Sequence, residues 1–247
     1  NAFFLVKSGR LPADLFLEIV SNLVNETSYI VWAEVSSAFG NLSQVLSGSK
    51  AEKDFDNFTK TIFGNLISSK TLGYKEKSKE SFNTKTLRGL AFLESGLAGY
   101  KPSIAEAKKL FKQAKAGKSI PADLRLAVYC IIACTGAVKE FNDLHNIYMQ
   151  SGLAQEKQQV LLAMTKFANL AVQIKVLEFF FGSDVRDQDR GVASIRGMER
   201  EVHGCRQRRI RRCDRVWRDA NGDDEASFRH EIASKCITTV DNVMTTP

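Results

Sequence analysis

The stretch IPADLRLAVYCIIACTG, residues 120–136, decides the fold class. Pro121 and Asp123 form a helix-start signal: proline presets φ where no backbone N–H is needed, and a carboxylate suits the positive end of a helix. Apolar residues then run from Leu124 to Cys134 without strand-like alternation, and Gly136 supplies the stop. The expectation is a helix started by Asp123 as its cap. Cys130 and Cys134, at i and i+4, share one face as small buried apolar residues.

The same pattern repeats on both sides. Leu15, Leu17, Ile19, Val20 and Leu23 predict one apolar face after Pro12. Trp32, Val35, Phe39, Leu42 and Leu46 recur at steps of three or four and close at Gly48. Phe55, Phe58, Ile62, Phe63 and Leu66 give a third stripe, closing near Gly73, and the Lys-rich stretch from Tyr74 to Lys85 reads as an exposed loop or helix entry. Leu87, Leu90, Leu93 and Leu97 precede Gly99; Ala107, Leu110 and Phe111 precede Gly117. Beyond Gly136, stripes on Phe141–Tyr148, Val160–Phe167 and Leu170–Phe180 complete the series. About nine helices of roughly 10–15 residues on short turns imply antiparallel pairs, each burying its stripe on the next. The predicted fold is all-α: an α-solenoid of antiparallel helix pairs, HEAT- or armadillo-like, with a compact bundle as the alternative.

Composition narrows the class. The apolar fraction, 44%, suits a folded chain, and no apolar run approaches the roughly 18 residues of a membrane span, so no membrane partner is expected. The five cysteines form no CxxC or metal-ligand spacing, which suits a reducing compartment. Net charge is +7, but its distribution is uneven. Residues 1–189 hold 19 Lys and 4 Arg against 19 acids; residues 190–247 hold 1 Lys and 11 Arg against 9 acids. We therefore expect a helical-repeat domain over 1–189 and a divergent Arg-rich tail over 190–247, disordered or read from a different frame.

Four fragments carry a resemblance. LVNETSYIVWAEVSSAFGNL, residues 23–42, contains Asn25, Glu26, Tyr29 and Trp32 as Asn-Glu-x-x-Tyr-x-x-Trp. IPADLRLAVYC carries Asp123, Arg125 and Tyr129; LRGLAFLESGLAGY is followed by AEAKKLFKQ; and Val185 to Asp189 read VRDQD. In this order and spacing they resemble the C-terminal helical domain of the gluzincin zinc aminopeptidases, the family of aminopeptidase N and puromycin-sensitive aminopeptidase. The likeness is strongest to the puromycin-sensitive, cytosolic branch, which implies a cytoplasmic protein. The motifs end at Asp189; residues 191–219 lack the glycine turn and Ala-Trp-x-Phe helix that follow in the family.

The resemblance implies a segment that forms a helical bowl over a zinc active site without catalysing. The family's chemistry needs H-E-x-x-H, which sets two imidazoles on one helix face for zinc with a carboxylate beside the metal-bound water. Here the histidines are His145, His203 and His230, no two at i and i+4, and the family's Gly-x-Met-Glu-Asn exopeptidase loop is missing. No catalytic residue, metal ligand or cofactor is expected within this chain; zinc belongs to the complete enzyme. His145 reads as a packing residue, and His203, Cys205 and Cys213 match no closed zinc module. The Arg-rich run from Arg206 to Arg218 reads as a solvated charge run rather than a nucleic-acid site. The implied partners are the enzyme's own catalytic domain and a peptide substrate, for whose C-terminal carboxylate Arg125 is the candidate contact if it does not pair with a neighbouring acid. Asn25, Glu26, Tyr29, Trp32, Asp123 and Tyr129 are expected to be structural. The competing reading is a helical-repeat scaffold that binds a protein partner.

Overall fold

The computed structural model describes residues 2–23, 25–186 and 189, all within one unit, Asn1–Arg200. The described residues form ten α-helices and no strand: α1 (Ala2–Lys7), α2 (Ala13–Ser21), α3 (Tyr29–Leu46), α4 (Glu52–Ser68), α5 (Phe82–Leu97), α6 (Lys101–Lys115), α7 (Ala122–Thr135), α8 (Val138–Gln150), α9 (Ala154–Met164) and α10 (Leu170–Phe181). None is long and apolar enough to cross a membrane. The tail expected over 190–247 lies outside the described residues.

Helix α7 is the centre because it is apolar all round. Ala127 to Ala133 are buried without a break, and Leu124 is buried with them, so every face of this stretch needs a neighbour. It packs against α5, α6, α8 and α9. The odd-numbered helices α3, α5, α7 and α9 contact one another in sequence, while α4, α6 and α8 each pack on the odd helices either side or beside them. Aromatic edges tie the layers: Phe39 meets Phe55 and Phe63 at ring-centroid distances of 5.3 and 5.8 Å, and Phe111 meets Tyr129 at 6.4 Å. Burial pushes the Cys130 thiol up to about 12, so it behaves as an apolar residue of the core.

Where α5 crosses α7 the helices lie unusually close. A methyl at Gly96 would stand 2.2 Å from the Ile131 Cδ1, and one at Gly89 would stand 2.5 Å from the Asp123 carbonyl oxygen. Only a residue without Cβ allows that approach. The helix stops at Gly48, Gly99 and Gly117 have φ of +79°, +83° and +86°, the left-handed conformation that L side chains resist.

Helix α5 begins at Phe82, so the Lys-rich stretch ends as a helix entry, where the Ser81 hydroxyl accepts from the Thr84 N–H and caps the helix. Helix α1, six residues long and without a stripe, joins the nine striped helices to make ten among the described residues. One expectation needs correction. On α2 the buried residues are Phe16 and Val20, while Leu15 and Ile19 of the expected apolar face are exposed. A helix with apolar residues on both sides gives no single answer to a periodicity argument.

Gly96→Ala should lower stability by about 1–3 kcal/mol through overpacking against Ile131. Gly40→Ala, mid-helix in α3 with nothing within 4 Å of the new methyl, should raise it by about 0.5–1 kcal/mol. Urea titrations of the two variants would check the opposite signs.

Candidate functional site

The Asn-Glu-x-x-Tyr-x-x-Trp motif is a capping station. The Glu26 carboxylate accepts from the Thr27 and Ser28 N–H groups at 2.7 and 2.6 Å, satisfying donors at the start of α3. The Trp32 Nε1–H donates to the Glu26 carbonyl at 3.0 Å, and its ring is buried against Phe63. Asn83, at the start of α5, accepts from the Tyr29 N–H at 2.9 Å and donates to the Thr27 carbonyl at 2.8 Å. The motif thus ties the first turns of α3 and α5 together. Asn25 is exposed in the preceding turn.

Asp123 does not cap α7. The N-cap is Pro121, which has no side chain able to accept, and Asp123 stands in the first turn, where its charge still complements the helix end. Its carboxylate instead faces Arg88 of α5, with Oδ2 3.9 Å from Nη1. Arg88, fully buried, also donates from Nη2 to the Glu80 carboxylate and from Nε to the Gly73 carbonyl at 3.1 Å. It therefore clamps the connection before α5 onto α7. The Arg88 bond is the main cause holding the Glu80 carboxyl below its ordinary value. Nothing in the leucine stripe around Arg88 announces that a cation will be buried there. Asp123 also lines an open cleft of about 330 Å³ with Tyr74, Lys75, Glu76, Glu106 and Lys109, a mixed-sign surface.

Arg125, Tyr129 and Glu156 meet where the N-terminal halves of α7 and α9 run side by side. Glu156 Oε1 accepts from the Tyr129 hydroxyl at 2.8 Å and lies 3.4 Å from Arg125 Nε; Oε2 accepts from the Ser151 hydroxyl at 2.7 Å. Burial and this bond to a carboxylate raise the Tyr129 phenol above its ordinary value, so it is a fixed donor. The terminal nitrogens of Arg125 receive no hydrogen-bond partner from the described residues. Further along, Gln158 of α9 donates to Asp189 at 3.3 Å, and Asp189, buried, pairs with Arg186 Nε at 2.7 Å. Lys157 lies 4.9 Å from the centroid of the Tyr148 ring. The result is a polar edge with two guanidinium groups, each oriented by a carboxylate. Such an edge can receive an anion. Sequence reasoning found Arg125 and Tyr129 but not Glu156, which sits on a weakly patterned helix.

The donor set does not fit zinc. His145 is the one histidine among the described residues, and its ring lies between Phe141 and Phe179 at 6.1 and 4.7 Å. No group of three His, Cys, Asp or Glu side chains among the described residues could hold a metal ion.

One half-buried acid also matters for stability. Glu94 of α5 accepts from the Ser36 hydroxyl of α3 at 2.7 Å, and burial pushes its carboxyl above the ordinary value, outweighing Ser36 and Lys166. A raised carboxyl favours folding in its protonated form, so its contribution is complete below the ordinary value of 4.5 and is lost as pH rises through the folded value. Glu94→Gln should therefore raise the melting temperature at pH 7 and leave it unchanged near pH 4. Arg88→Met, which strands Glu80, should cost about 3 kcal/mol, read by urea unfolding at pH 7.

Comparisons with known proteins agree with this geometry. The model of the ERAP1-like C-terminal domain matches residues 1–206, past Asp189 where the motifs end. Aminopeptidase 2 of Candida albicans is 26% identical over 194 residues, 76% of this chain and 21% of its own length. Puromycin-sensitive aminopeptidase of Caenorhabditis elegans is 23% identical over 190 residues, 75% of this chain and 20% of its own. Aminopeptidase N of Plutella xylostella is 27% identical over 194 residues, 77% and 20%. The chain thus spans about a fifth of the length of these relatives. With the capping motif in place and the match extending over residues 1–206, the chain belongs to the ERAP1-like C-terminal domain family, the C-terminal region of the M1 aminopeptidases.

Proposed function

We propose that this chain forms the helical wall of a zinc aminopeptidase that removes N-terminal residues from peptides, with zinc and the catalytic groups carried by the rest of the polypeptide. The observation that carries the reading is the family match over residues 1–206. The catalytic domain is the wall's partner and a peptide its substrate. The two-layer order of the helices, odd on odd with even helices packed on them, supports an α-solenoid whose inner surface limits the size of what enters. The buried, reduced thiol of Cys130 is in keeping with a cytoplasmic setting.

Within the wall, Arg125 is the contact for a peptide's C-terminal carboxylate. Glu156 fixes the guanidinium through Nε, which leaves the terminal nitrogens to make a two-point contact with a carboxylate. Tyr129 and Ser151 hold Glu156 in turn, so the Arg125 geometry does not depend on a substrate being present. Asp123, engaged with Arg88, has a structural role.

Supplied with zinc, the 247-residue chain alone should release no product from a fluorogenic amino-acid amide; measurable turnover would refute the division of labour. In the complete enzyme, Arg125→Gln should raise KM for free-acid peptides about tenfold, the worth of one charge-assisted contact. The KM for C-terminally amidated peptides and kcat for both should stay unchanged. Equal effects on acid and amide would remove Arg125 from the substrate path.

A further inference from the structure

Charge is divided unevenly along the helical unit. The connection after α4, residues 70–79, and helix α6 with the turn after it, residues 101–118, hold 10 Lys and 2 acids. The rest of residues 1–189 holds 9 Lys and 4 Arg against 17 acids. These two segments thus carry the positive charge, and the remainder is acidic. All ten lysines are exposed. On α6, Lys101, Lys108, Lys112 and Lys115 stand at i, i+7, i+11 and i+14, a single stripe about 21 Å long. Lys75 lines an open cleft with Lys109 and Glu106, and Lys70 and Lys77 line a second with Lys75 and Glu106, so the two segments share one surface. Among the described residues only Lys109 and Lys115 of the ten pair with a carboxylate, Glu106 at 2.9 Å and Asp143 at 2.6 Å. Like charges at i and i+4, as at Lys108 and Lys112, cost a helix stability, so the row does not serve the fold.

We infer that this lysine surface docks the unit on the face of an anionic lipid bilayer. Two observations select a bilayer over other polyanions. The ten cations include no arginine, whose planar fork is the group suited to nucleic-acid phosphates and to carboxylates at protein contacts. Lysine is depleted at protein–protein contacts. Attraction to a charged plane needs only hydrated point charges within a Debye length, and each lysine near the plane strengthens binding about fivefold. Second, Phe82, three residues beyond Lys79, is 84% exposed, and an apolar ring beside lysines is the pairing that interfacial surfaces use. The expectation of no membrane partner weighed spanning segments alone. No helix among the described residues crosses a bilayer, and a contact at the surface requires charge rather than length.

Co-sedimentation of the 247-residue chain with lipid vesicles tests this. The chain should pellet with vesicles of phosphatidylcholine and phosphatidylserine at low ionic strength, stay soluble with phosphatidylcholine alone, and be released by added salt. The variant Lys101→Gln/Lys108→Gln/Lys112→Gln should bind at least about tenfold more weakly, with a melting temperature no lower than that of the unaltered chain. The variant Lys50→Gln/Lys139→Gln/Lys175→Gln removes the same charge from exposed positions elsewhere and should bind as the unaltered chain does. The Arg-rich residues 190–247 are common to all three forms, so an equal loss in both variants would assign binding to overall charge and overturn the inference. Failure to pellet with the anionic vesicles, or equal pelleting with the neutral ones, would also overturn it. Duplex DNA or polyglutamate that displaces the vesicles, and whose own binding falls in the first variant alone, would give the surface to another polyanion and overturn it.

Discussion

Helices α5 and α7 can lie against each other only because Gly89 and Gly96 carry no side chain where the crossing is tightest. That approach brings the α5 backbone within van der Waals reach of Ile131 and the Asp123 carbonyl, and α7 can then be enclosed by α5, α6, α8 and α9. An all-apolar helix is stable in water only when every side is occupied. The enclosure of α7 is thus the condition for the rest of the packing. It also sets the position of the N-terminal half of α7, from which Asp123, Arg125 and Tyr129 project.

The polar groups follow from that placement. Asp123 lands opposite Arg88, which locks the connection ahead of α5. On the same helix, Arg125 and Tyr129 converge on Glu156. Each cation is held by a carboxylate fixed from a different helix, so the edge is ordered before anything binds. Pre-ordering of this kind reduces the entropy lost when a ligand arrives.

Much of the fold was legible because its signals are local. Glycines at the ends of α3, α5 and α6 and the stripes of α3 and α4 depend on three- and four-residue spacing, which a sequence displays directly. The Asn-Glu-x-x-Tyr-x-x-Trp motif was visible as a pattern, although its work, Glu26 capping α3 and Asn83 tying α3 to α5, spans more than fifty positions. What could not be read depends on distant partners. Arg88 looks like an interruption of a leucine stripe until Glu80, Asp123 and Gly73 surround it. Asp123 looks like a cap until Arg88 claims its carboxylate. Leu15 and Ile19 look like core because apolar periodicity cannot say which of two apolar faces of α2 the fold turns inward. The Arg125–Glu156 pair joins residues on helices separated by a third, and no spacing rule connects them.

The central claim is that residues of this chain shape and limit a site whose chemistry lies elsewhere in the same polypeptide. A crystal structure of the complete polypeptide, with zinc located by its anomalous scattering, tests it most directly. The account predicts a metal bound wholly by residues outside this chain, with the Arg125–Glu156 edge facing the cavity that leads to it. A metal held by side chains of this chain, or that edge turned to bulk solvent away from the metal, would contradict it.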